Sequence, residues 1–107
     1  MYQLVKNDTA PQIKATITRE DTGNIVDMSG GTVRLKFRKK GSTTILFTLT
    51  ADSDVNNLSN GIAIFTFGAG NLDLDEGYYE GEIEVTYSNS TVETIYEVLD
   101  FYLRGDF

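Results

Sequence analysis

Two stretches of strict two-residue alternation constrain this chain more than anything else in it. Val33, Leu35 and Phe37 alternate with Arg34, Lys36 and Arg38. Further on, Tyr79, Gly81, Ile83 and Val85 alternate with Glu80, Glu82 and Glu84. Successive side chains of an extended strand point to opposite faces, so each stretch has one face suited to a core and one suited to water. On a helix the same residues would be spread around the axis. Both stretches are therefore strands of a sheet with one solvated side, and their solvated faces carry opposite charge.

The rest of the chain reads the same way. Tyr2 to Lys6 is a short strand candidate. From Pro11 to about Arg19, Ile13, Ala15 and Ile17 alternate with Lys14, Thr16 and Thr18. Asp21-Thr22-Gly23-Asn24 is a turn, Ile25-Val26 a short extended piece, and Ser29-Gly30-Gly31 a break. Lys39-Lys40-Gly41-Ser42 turns the chain into Thr44–Thr50, with Ile45, Phe47 and Leu49 expected inward. Asp52 to Asn60 is a polar loop with room for one helical turn. Gly61 opens an apolar strand, Ile62 to Phe67, and the loop Gly68–Glu76 offers Leu72 or Leu74 as a core plug. The last strand, Thr91 to Leu103, is expected to bend near Asp100, where the apolar phase shifts. About seven short strands punctuated by glycine, with no helical period, predict one all-β domain over residues 1–107: an immunoglobulin-like antiparallel β-sandwich.

Composition removes whole classes of chemistry. The 107 residues contain no Cys and no His. Disulfides, thiolate sites and Ser-His or Cys-His nucleophilic arrangements are thereby absent. No basic-then-apolar leader opens the chain and no apolar run approaches the roughly 20 residues that cross a bilayer, so a soluble, non-membrane protein is expected. The net charge is −7, split unevenly. Residues 1–53 hold eight Lys/Arg against five Asp/Glu, a balance of +3, and residues 54–107 hold one against eleven, a balance of −10. Nucleic acid is not an expected partner for such a chain.

Asp75-Glu76-Gly77-Tyr78-Tyr79 matches the Asp-x-Gly-x-Tyr pattern that enters the penultimate strand of immunoglobulin-like domains. There the tyrosine hydroxyl reaches back to an upstream backbone group. Asp75, Gly77 and Tyr79 are the candidate tyrosine corner; the plainer reading has Gly77 ending a loop and Tyr79 in the core. Antibody domains carry a cysteine two residues later, where this chain has Gly81. With Gly77–Tyr87 as strand F and Val33–Arg38 as strand C, the two are neighbours. Arg34, Lys36 and Arg38 then face Glu80, Glu82 and Glu84 as a charge ladder, and much of the charge split is internal.

Candidate sites are few. Asp52-x-Asp54-x-Asn56 begins like a calcium loop, but Asn57 and Ala63 stand where Gly and Glu are needed. Asp73, Asp75 and Glu76 form a second acidic cluster, read as a solvated loop. Glu80 and Glu82 are paired carboxylates without a cleft, and glycosidase chemistry needs two carboxyls about 5–9.5 Å apart across one. Arg104-Gly105-Asp106 is a chance-level triplet at the chain end. Tyr78, Tyr87, Tyr96 and Tyr102 are candidates for an exposed aromatic platform or for half-buried sheet positions. No catalytic, cofactor-binding or metal residue is expected.

In order and spacing, the chain resembles the N-terminal domain of siphophage baseplate upper proteins. The resemblance is carried by Leu4-Val5-Lys6-Asn7-Asp8, the alternating strand Pro11–Thr18, Asp21-Thr22-Gly23 and Val26-Asp27-Met28-Ser29-Gly30. It continues through the basic strand Val33–Arg38, Gly61, Leu72-Asp73-Leu74-Asp75-Glu76-Gly77-Tyr78-Tyr79 and Asp100-Phe101-Tyr102-Leu103. It implies an immunoglobulin-like module that joins tail-tip or baseplate proteins in a bacteriophage virion assembled in the host cytoplasm, in contact with other virion proteins as a homo- or hetero-oligomer. In that family a long receptor-binding part follows. This chain stops at Phe107, so the expectation is a stand-alone tail, baseplate or neck adaptor without an enzymatic role. Capsid decoration and carbohydrate binding are the alternatives.

Overall fold

Seven strands and one short helix follow one another in the described residues: β1 (Tyr2–Val5), β2 (Gln12–Thr16), β3 (Thr32–Lys39), β4 (Ile45–Thr50), α1 (Val55–Ser59), β5 (Ile62–Thr66), β6 (Gly77–Thr86) and β7 (Val92–Arg104). The computed structural model describes residues 2–6, 12–18, 22–52, 54–87 and 89–105, apart from the side chains of residues 55 and 94–97. Pro11, Arg19 and Asp106 lie outside the described residues.

The strands form a five-stranded sheet, β1-β7-β6-β3-β4, and a two-stranded sheet, β2-β5. The fold is an immunoglobulin-like β-sandwich. It departs from a wholly antiparallel arrangement at one pair, since β1 runs parallel to β7 from Tyr2↔Phe101 to Val5↔Arg104.

Local chemistry sets the connections. Ser42 N–H donates to the Lys39 carbonyl at 2.9 Å, and Gly41 between them has φ +82°, the position that a type II turn reserves for glycine. Asp54 caps α1 by accepting from Asn56 N–H at 2.9 Å. Gly61, at φ +73°, ends that helix, donating to the Leu58 carbonyl at 3.2 Å before β5 begins. A side chain there is barred twice, because a Cβ would lie 2.7 Å from the Ile17 carbonyl oxygen.

The core lies between the sheets, with Phe37 at its hub. Its ring stacks on Phe47 and Tyr79 at 4.7 and 5.3 Å and meets Phe67 edge-on at 6.0 Å. Leu35, Phe65, Phe101, Leu72 and Met28 are fully buried around it. Of the two candidate plugs, Leu72 enters the core and Leu74 packs against it, partly buried.

Two expectations about strand faces need correction. Ile45 is not inward: it pairs with Arg38 after a register shift at Phe37/Arg38, and it is 41% exposed. The shift inserts one extra residue into β4, which reverses the phase on which the inward reading rested. The irregularity in β7 lies before Asp100. Glu82 pairs with Val98 and Ile83 with Ile95, so the bulge falls between Ile95 and Val98. The apolar phase changes after the bulge because Val98 is half-exposed although apolar, while Phe101 and Leu103 are buried.

Candidate functional site

The solvated face of the five-stranded sheet carries six charged groups on two adjacent strands, β3 and β6. β3 and β6 pair in register, with Arg34 opposite Glu84, Lys36 opposite Glu82 and Arg38 opposite Glu80. The bonds do not all follow the register. Arg38 Nε donates to Glu80 at 3.0 Å and its Nη1 to Glu82 at 3.1 Å. Lys36, losing its direct opposite, reaches diagonally to Glu84 at 2.8 Å. Arg34 in turn moves along to the Thr86 hydroxyl at 3.4 Å. One bidentate guanidinium therefore shifts the ladder by one rung.

Electrostatics follow from those contacts. The Arg38 hydrogen bond holds the Glu80 carboxyl below its ordinary range, with smaller help from Gly41 N–H and against the cost of desolvation. Arg38 is raised in turn, first by its bond to Glu80 and then by its bond to Glu82. The paired side chains keep 17–32% of their exposure, so solvent screens them and each pair contributes at most about 1 kcal/mol. The ladder mainly disfavours a one-residue slip, which would turn charges inward and Phe37 outward.

At one end of β6 is the corner. Tyr79 Oη donates to the Asp75 carbonyl at 2.6 Å, with Gly77 beginning the strand between them. The ring is 4% exposed, and burial first, then the nearby Asp75 carboxylate, pushes the phenol's pKa up. Two residues on, Gly81 takes the position of the missing cysteine. A Cβ there would lie 2.5 Å from Leu35 Cδ1 and 3.1 Å from Phe101 Cε2, so side chains of the two flanking strands of the same sheet, β3 and β7, close over the glycine.

The acidic loops have structural partners. Asp54 caps α1, and Glu76 accepts the Tyr102 hydroxyl at 2.7 Å. That bond, before the Coulombic effect of the same carboxylate, raises the Tyr102 pKa. Among the described residues no three acidic side chains converge as a metal-holding group.

The tyrosines separate. Tyr78 and Tyr102, opposite one another on β6 and β7, have ring centroids 5.0 Å apart and planes tilted by 55°. Tyr87 lies at the far end of β6 and donates to Glu93 at 2.7 Å. The Tyr96 side chain is outside the described residues. A groove of about 140 Å³ opens between β2 and the β1–β7 side, lined by Tyr2, Lys14, Thr16, Thr18, Ile83 and Leu99. Ligand clefts commonly run from roughly 300 to 1,000 Å³, so it is small for an organic ligand.

The rim of the sheet was only partly legible. β1 is one edge of the five-stranded sheet, and β7, the last strand in the chain, lies inside it between β1 and β6. The opposite edge is β4, where Ile45 and Leu46 are 41% and 44% exposed. The exposure of Ile45 escapes sequence reasoning because the alternation reads straight through the bulge, and the edge position because it depends on pairings between distant segments.

No protein-family model matches the chain, and no curated protein matches it. Among the described residues no helix is long and apolar enough to cross a membrane.

Proposed function

We propose that this domain is a structural component of a bacteriophage virion: a tail, baseplate or neck adaptor that works through protein–protein contacts. The observation that carries this reading is the outer sheet face, where acids and bases are engaged with one another across β3 and β6. The rim of that sheet adds exposed apolar side chains on β4, Ile45 and Leu46. A rigid sandwich with an open, apolar edge is suited to joining sheets. The tail assignment rests on the resemblance of Leu4-Val5-Lys6, Leu72–Tyr79 and Asp100–Leu103, in that order, to the baseplate upper protein module. Carbohydrate binding draws support only from Tyr78 and Tyr102, whose 55° tilt does not make a flat platform for a sugar ring.

Mass spectrometry of purified particles, separated into heads and tails, tests the proposal. The chain is expected in tails at a fixed copy number. Its presence on heads alone would convert the reading to decoration, and its absence from particles would overturn it. A glycan array reports separately on the tyrosine pair, with no binding expected.

A further inference from the structure

Each free edge of a sheet exposes unpaired backbone groups, and proteins usually blunt such edges with lysine, proline, bulges or inward charges. β4 carries almost none of these devices. From Ser42 to Ala51 there is no charged residue, no proline and no glycine. Its single bulge lies at the Phe37/Arg38 register shift, and Phe47 to Thr50 pairs regularly with Phe37 to Arg34. Ala51 N–H donates to the Val33 carbonyl at 2.8 Å, so the odd-numbered residues turn their backbone groups towards β3. Thr48 and Thr50 therefore turn theirs away from β3, to a side that is open among the described residues as far as Asp52, whose N–H donates to the Ile64 carbonyl of β5 at 2.9 Å. Exposed Leu46 adds apolar surface beside them.

We propose that β4 is a self-association edge that pairs antiparallel with β4 of a second copy, joining two five-stranded sheets into one. It rests on the reading that the domain acts through protein contacts. A two-fold axis at Thr48 sets Thr48 against its own copy and Leu46 against Thr50. Threonine pairs are favourable cross-strand neighbours, and no like charges meet. An uncharged edge also lacks any charge with which to select a different partner. The internal ion pairs favour this edge: the two basic β3 strands of a pair stand three strand spacings apart, about 14 Å, with Lys36 and Arg38 already bonded to β6 carboxylates. β3 separates β4 from acidic β6, so the two acidic strands of a pair stand five strand spacings apart, about 24 Å. That is roughly three Debye lengths at physiological salt, and their repulsion is screened.

Light scattering after size exclusion tests this on the purified chain, from about 5 to 500 µM. Wild type is expected to pass from monomer to dimer, with the Thr48 and Thr50 amides gaining hydrogen-exchange protection as concentration rises. Thr48→Glu places a carboxylate opposite Lys36 of its own chain, a compatible neighbour, but opposite its own copy across the axis. It is expected to weaken association at least about tenfold, with the melting temperature of the monomer unchanged or raised. A wild type that stays monomeric overturns the proposal, as does Thr48→Glu associating like wild type. Either result leaves the virion reading intact, because particle composition tests that separately.

Discussion

Removing one hydroxyl, by Tyr79→Phe, isolates the corner from the core. The ring remains stacked on Phe37 at 5.3 Å, and only the 2.6 Å bond to the Asp75 carbonyl is lost. A neutral hydrogen bond contributes about 0.5–1.5 kcal/mol net, more when the abandoned partner cannot rehydrate. Asp75 is exposed, so its carbonyl recovers some water and the expected loss stays near 1–1.5 kcal/mol. Unfolding entropy of roughly 2.1 cal/mol/K per residue gives a chain of this length about 0.22 kcal/mol/K. The expected fall in melting temperature is therefore about 4–7 °C, read by calorimetry and by a urea midpoint with unchanged slope. Tyr79→Leu, which also removes the ring, should cost at least about 2 kcal/mol more. If Tyr79 were ordinary core, phenylalanine would be neutral or stabilising. A Tyr79→Phe protein melting at or above wild type refutes the corner as a stabilising device.

Acid should weaken the ladder with a defined sign. The folded Glu80 carboxyl sits below its ordinary value of 4.5, so its stabilisation is complete above that value and disappears as pH falls through the folded value. Melting temperature should decline below about pH 4.5, and less steeply in Arg38→Met. A double-mutant cycle on Lys36 and Glu84 should give a coupling of about 0.2–1 kcal/mol that vanishes in 1 M salt. A coupling that survives salt would mean the pair is not solvent-screened. Gly81→Ala should destabilise by about 1–3 kcal/mol through overpacking against Leu35, and Leu35→Val in the same chain should recover part of the loss. In a spectrophotometric titration Tyr79 and Tyr102 should ionise above the ordinary phenol value, and Glu76→Gln should lower the Tyr102 transition.

What the sequence by itself determined was the local logic. Period-two alternation sets the faces of β3 and β6, because neighbouring side chains on a strand must point apart. The Asp75–Tyr79 contact spans four residues, and the Asp54 cap two, so both are readable from spacing. The family of the fold followed from the number and punctuation of such elements. Tertiary structure decided whatever depends on one strand's relation to another far along the chain. Lys36 bonds Glu84 rather than the Glu82 opposite it, because Arg38 takes two carboxylates at once. Ile45 faces solvent because a bulge reverses its phase, and β7 lies inside the sheet because β1 returns parallel to its end. The open edge at β4 belongs to the same class. An edge is defined by the neighbour a strand does not have, and a sequence records no strand's neighbours until the pairings between distant segments are made.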